Sequence, residues 1–278
     1  MTSRKNFIRI SFLSIWLAVT GIVPHHFAYA AWTRDQGDLF VAQTLSLYST
    51  QHFIDDNGVS VPQPEFRKRE WNGYGEYGWR DDLTLGANVF FHQLEADSPV
   101  GTATNYGIAD PEFFIRKRLW HNEQTVISIQ PLIKLPSFYH TPGNPRGGTD
   151  DMDGEIRLQG GYGFDYFSRH HYVTTDVGYR KRLGEWGDQL KLDATAGLSL
   201  TDSVTLMPQL FLTKRIGDAN VGSFTSATVN DYDLLKGQLS VVWQATPSMA
   251  FQLGAFSHLY ARHSGDGGGV IAGLWYHF

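Results

Sequence analysis

Val270-Ile271-Ala272-Gly273-Leu274-Trp275-Tyr276-His277-Phe278 ends the chain, and its period of two sets the reading of everything before it. On an extended strand Val270, Ala272, Leu274, Tyr276 and Phe278 share one face, because successive side chains point to opposite sides of a sheet. The last residue is itself an aromatic on that apolar face. The same alternation recurs upstream. Leu83, Leu85, Ala87, Val89 and Phe91 oppose Thr84, Gly86, Asn88, Phe90 and His92. Leu190, Leu192, Ala194, Ala196, Leu198 and Leu200 oppose Lys191, Asp193, Thr195, Gly197 and Ser199, and Met249, Phe251, Leu253, Ala255 and Leu259 alternate with Gln252, Gly254, His258 and Arg262.

Segments of about ten such residues, separated by turn residues, are the signature of a transmembrane barrel. Lipid offers the backbone no hydrogen-bond partner, so a sheet in a bilayer must close on itself, with one face to hydrocarbon and the other to the lumen. The expected strands are 38–49, 63–78, 83–94, 110–120, 125–136, 155–166, 172–182, 188–200, 204–215, 231–244, 249–261 and 269–278. The connections between them alternate. Trp79–Asp82, His121–Gln124, Phe167–His171, Thr201–Ser203 and Ala245–Ser248 are short, whereas 50–62, 95–109, 137–154, 216–230 and 262–268 are longer, with 183–187 between. Short periplasmic turns and longer external loops are the habit of such barrels, and an even strand count leaves both termini periplasmic. The expectation is therefore an all-β fold, a transmembrane antiparallel up-and-down β-barrel of about twelve strands. Pro131 and Pro208 interrupt two of the strands and predict a local bulge at each, since neither can donate to a ladder.

The N-terminus reads differently. Arg4, Lys5 and Arg9 precede the largely apolar Ile10 to Val23, and Ala28-Tyr29-Ala30 offers the small-x-small pattern of signal-peptidase sites. Residues 1–30 are expected to be a cleaved signal peptide and 31–278 the barrel. The mature chain would carry 20 basic and 28 acidic residues, a net charge of −8, and an acidic chain without a basic stripe is a poor nucleic-acid binder. There is no Cys, hence no disulfide framework and no thiolate metal site.

Bacterial outer-membrane proteins resemble the C-terminal strand closely, and the resemblance implies recognition of Phe278 by the outer-membrane assembly machinery. Further motifs narrow the likeness. Tyr77-Gly78-Trp79-Arg80-Asp81-Asp82-Leu83-Thr84-Leu85-Gly86, Gly107-Ile108-Ala109-Asp110-Pro111 followed by Phe113, and the turn Leu198-Ser199-Leu200-Thr201-Asp202-Ser203-Val204 together resemble the turn units of the outer-membrane transporter family named for the MetA-pathway of phenol degradation. The resemblance implies a barrel in a Gram-negative outer membrane, facing lipid and lipopolysaccharide, with a transport role and no catalytic motif; the family's name is not a substrate. Read on their own, Asp82 and Asp202 are turn residues whose carboxylates accept backbone N–H groups.

Taken inward, the alternation gives the candidate lumen: Glu70 and Glu76, then Arg116, Arg118, Lys134, Arg157, Asp176, Arg180, Lys191, Asp193, Lys236, His258 and Arg262. Twelve strands fall between the eight that side chains fill and the sixteen or more that leave an open pore. The lumen should be narrow and polar, with charges that pair into a ladder and line a conduction path for small polar or anionic solutes. Trp71, Tyr77, Trp79, Trp243 and Tyr276 suit an interfacial girdle.

The channel reading has two rivals. A membrane-embedded, phospholipase-like hydrolase would need Ser264 activated by His258 or His263 with Asp266 near, but neighbours in an extended segment point apart. A structural or adhesion barrel would act through its loops. No enzyme activity, cofactor or metal is expected; Asp150, Asp151 and Asp153 have the chemistry for a divalent cation but sit in a Gly- and Pro-containing loop that solvates them.

Overall fold

A computed structural model describes residues 31–140, 145, 147–217 and 231–278. The expected signal peptide, 1–30, and parts of the expected loops 137–154 and 216–230 lie outside the described residues. Twelve long strands follow one another: β1 (Leu39–Ile54), β2 (Ser60–Arg80), β3 (Leu83–Ser98), β4 (Gly101–His121), β5 (Thr125–Lys134), β6 (Asp153–Tyr166), β7 (Arg169–Arg182), β8 (Asp188–Ser199), β9 (Val204–Ile216), β10 (Asp233–Thr246), β11 (Met249–Arg262) and β12 (Gly268–His277). Two-residue pieces, Phe138–Tyr139 and Ser264–Gly265, add to β4 and β1.

Each strand pairs antiparallel with its sequence neighbour. β1 also pairs with β12, from Phe40 opposite His277 to Ser49 opposite Gly268, so the sheet closes. The fold is a closed, up-and-down, twelve-stranded barrel. The outer face is apolar, as hydrocarbon requires: Leu45, Leu47, Leu158, Leu239 and Leu253 are exposed there, the last at 67%. Trp71, Tyr77, Trp79, Trp243 and Tyr276 are exposed on the same face.

Strand order and interior boundaries follow the sequence reading, and three features depart from it. First, the ends of two expected loops are strand. β2 and β4 run 21 residues each, and the β3–β4 connection shrinks to residues 99–100. About ten residues suffice to cross a bilayer, so these hairpins extend beyond it; there both faces meet water and the apolar alternation that marks a strand fades. Second, neither Pro131 nor Pro208 makes a bulge. Phe114–Leu132 and Lys117–Ile129 keep one register across Pro131, and Leu206–Leu198 and Gln209–Thr195 keep one across Pro208. The absent N–H simply leaves Ile115–Arg116 and Ala196–Gly197 without ladder partners on the proline's side. The bulge falls instead at Pro111, where the register slips between Asn88/Glu112 and Phe90/Ala109 and Asp110 takes φ 41°. Third, Thr201 rather than Asp202 caps its turn: its Oγ1 accepts the backbone N–H groups of Ser203 and Val204 at 3.3 and 3.0 Å. Asp82 takes the Lys117 ammonium across the turn.

Two glycines on the inner face are required by their cross-strand partners. The Phe114 ring of β4 lies against Gly86 of β3, and the Tyr172 ring of β7 against Gly197 of β8. A Cβ at either position would stand 2.1 or 1.9 Å from ring carbon. Covering a strand glycine with a neighbour's ring pins register and fills the interior.

Candidate functional site

The lumen is the candidate site, built in tiers. At the turn end, Ala31–Gln36 enters the barrel before β1 begins. Thr33 Oγ1 donates to the Asp81 carbonyl at 2.6 Å, the Gln36 N–H donates to Asp81 Oδ1 at 2.9 Å, and the Arg34 N–H donates to Thr84 Oγ1 at 2.8 Å. The start of the segment lies against the inner face of β4, β5 and β6. Ser128 Oγ donates to the Ala31 carbonyl at 2.7 Å, Arg116 Nη1 donates to the Trp32 carbonyl at 3.0 Å, and the Trp32 indole covers Gly161. Ala31 is 0% exposed. The remainder of this end is filled by Phe40, Ala42, Met207, Val242, Ala250 and Trp275, with Tyr74 against them. The expected narrow, polar lumen thus occupies part of the interior, and the turn end carries an apolar cluster, because positions such as Phe40, Val242 and Trp275 fall on the inner parity.

Above this lies an ion network. Arg116, 2% exposed, pairs with Glu76 Oε1 at 2.7 Å and donates to Gln130 and Gln159 at 3.0 Å each. Glu76 also takes Arg34 at 2.6 Å. Gln159 reaches Asp176 at 3.2 Å. Arg157 spans Glu155 and Asp193, the latter at 2.9 Å, and Arg180 spans Glu155 and Glu112, the latter at 2.5 Å. Apart from Glu76 on β2 and Arg34 ahead of β1, these charges sit on β4 to β8, and pairing is what makes their burial tolerable.

The facing wall, on β9 to β11 and β1, is aromatic. Lys236 Nζ lies 4.3 Å from the centroid of Phe211 and 5.4 Å from that of Phe256. Tyr48 stacks on Phe256 and His258, with centroids 6.3 and 5.1 Å apart. Lys68 of β2 and His92 of β3 share Glu70 at 2.8 and 2.7 Å. Between the walls is a cavity of about 1040 Å³.

At the loop end, residues after β5 fold inward. Leu135 N donates to the Pro111 carbonyl, and Asp110 Oδ1 accepts from Ser137 Oγ at 2.8 Å and the Thr149 N–H at 3.1 Å. Tyr139 Oη contacts His92 Nδ1 at 2.9 Å and accepts the Gly147 N–H at 3.0 Å.

Of the thirteen residues expected in the lumen, Glu70, Glu76, Arg116, Arg157, Asp176, Arg180, Lys191, Asp193, Lys236 and His258 border the cavity. Lys134 points inward but is sealed against Asp153, Asp110 and Thr149, which also takes Asp153 out of the acidic loop trio. Arg118, opposite Ser128 at the turn end, does not border the cavity. Arg262 is a correction: a bulge at Leu259 shifts β11, so Arg262 stands opposite Asp233 on the face of Leu235 and Leu239, the outer one. The hydrolase candidates are engaged apart. His258 Nδ1 contacts the Gly265 carbonyl at 2.7 Å, while His263 contacts Asp56 at 3.1 Å and Arg215 at 3.2 Å. Sequence reasoning missed the inward-folded Ala31–Gln36, which has no periodicity; its Trp32 and Arg34 were the signals available.

A closed antiparallel barrel of twelve strands, apolar outside and charged within, is the architecture of outer-membrane β-barrels. The chain is similar in fold to a solved structure described as the COG4313 outer membrane channel from Pseudomonas putida F1, at 12% identity, TM-score 0.66, over 89% of this chain and 98% of that one. Weaker likenesses include the translocator domain of the autotransporter NalP from Neisseria meningitidis (12% identity, TM-score 0.48, 90% and 91% covered) and the KdgM porin (10%, 0.47, 84% and 99%). No protein-family model matches the sequence, and no curated protein matches it.

Proposed function

We propose that the chain is a passive outer-membrane channel for small solutes, narrowed at its periplasmic end by Ala31–Gln36. The observation that carries this is the cavity of about 1040 Å³ inside a closed barrel, lined by charged side chains and bounded at the turn end by that segment. The fold it shares with the COG4313 channel supports the same reading, as do the turn motifs resembling the phenol-pathway transporter family. The short turns and both termini face the periplasm, residues 1–30 direct export and are removed, and the strand ending in Phe278 engages the assembly machinery. The outer apolar face contacts lipid and lipopolysaccharide. Arg116, Arg157 and Arg180 act as the positive side of the conduction path.

Planar-bilayer recording tests this. The wild-type barrel should give discrete conductance steps, and a Trp32→Ala, Arg34→Ala variant, which frees the inward-folded segment, should give larger ones. Absence of current from both proteins at high salt and voltage would overturn the channel reading. Equal conductance in the two would remove the role of the segment.

A further inference from the structure

Among the described cations that border the cavity, Lys191 and Lys236 alone have no carboxylate within 4.0 Å. Every other one is in an ion pair. Lys191 has a single long contact, 3.5 Å to Thr213 Oγ1. Lys236 rests on two rings instead of an acid. The two lysines flank β9: Lys191 lies opposite Thr213 and Lys236 opposite Phe211, two residues along the same inner face. An ammonium inside a barrel without a counter-charge carries a desolvation cost that a ring quadrupole offsets only in part. Beside the pair, Phe211, Phe256 and Tyr48 offer a run of ring surface and His258 one more stacked plane. The lumen thus presents two ammonium groups with no carboxylate in contact beside apolar, flat surface, while the charges of its other wall are paired.

We propose that this wall is a binding site for organic anions with an apolar, ring-bearing body, the carboxylate taken by Lys236 and the ring laid on Phe211 and Phe256, with Lys191 adding positive charge on the far side of β9. This deepens the channel reading by giving its solute a chemical class, and it is testable without conduction.

Benzoate titrated calorimetrically into the purified full barrel in non-ionic detergent is the probe. Benzoate should bind about tenfold or more tighter than acetate, which lacks the ring, and than benzyl alcohol, which lacks the charge. Lys236→Gln and Phe256→Ala should each weaken it about tenfold, while Lys236→Arg keeps most of the affinity. The heat-resistant mobility of unboiled barrel in gels checks that each variant is folded. Equal affinity for benzoate and acetate, tighter binding of galacturonate than of benzoate, no benzoate heat, or indifference to Lys236→Gln in folded protein would each overturn the proposal. A barrel that binds benzoate in this pattern yet carries no current keeps the site and loses the channel; one that conducts without the preference does the reverse.

Discussion

Arg116 shows what a single residue does in this interior. Its position on the inner parity of β4 is legible from the alternation of Glu112, Phe114, Arg116 and Arg118. Its partners are not, since Trp32, Tyr74 and Gln159 come from three other parts of the chain. Glu76 is the group on which two buried guanidinium groups depend, Arg34 and Arg116. Removing one partner of a buried pair costs about 3–5 kcal/mol, so Glu76→Gln should lower the urea midpoint of the vesicle-embedded barrel by a corresponding amount; a loss below about 1 kcal/mol would mean water already screens the pair. Asp55 is a different case, outside the membrane. Its Oδ1 accepts the N–H groups of Asn57 and Val59 at 2.9 and 2.8 Å, and the Val59 bond foremost holds its carboxyl below the usual range. A carboxylate depressed in the fold stabilises above its unfolded pKa and loses that contribution as pH falls through the folded one. Protection of the Val59 amide, the slowing of its exchange relative to an unstructured amide at the same pH, should therefore persist to moderately acidic pH, fall below it, and be low at all pH in Asp55→Ala.

At the level of strands, most of the fold is readable because lipid enforces alternation within the membrane span and releases it outside. That is why β8 and β9 are bounded within a residue or two by their sequence pattern, while β1 and β4 reach well beyond theirs. Bulges are less legible. A proline marks a missing donor, yet whether the strand slips depends on its neighbours: Pro111 slips and Pro208 does not. Pro208→Ala should give Ala196 its donor back and raise barrel stability by about 0.5–1.5 kcal/mol, read from the unfolding midpoint. Glycines facing rings run the other way. Gly197→Ala forces the Tyr172 ring aside, a cost of about 1–3 kcal/mol, and the loss should shrink in a Tyr172→Leu background if the ring is the cause.

For the whole molecule, the charged lumen could be foreseen and its closure could not. Period-two reading assigns faces but says nothing about a non-periodic segment such as Ala31–Gln36, and it treats every inner position as wet. The chain has no Cys, so Trp32→Cys supplies a unique reporter. A membrane-impermeant maleimide should label it slowly in the intact barrel and markedly faster with Glu76→Gln added. Fast labelling in both would place the segment outside the lumen.

The pairing of Phe40 with His277 has a temporal meaning. The first strand waits for the last, so no ribosome-bound or half-exported chain can complete the cylinder. Until the final residues are available, both borders of the growing sheet carry unsatisfied amides and carbonyls, the arrangement most apt to aggregate. Closure of the cylinder is thus a late event, possible only once β12 can meet β1.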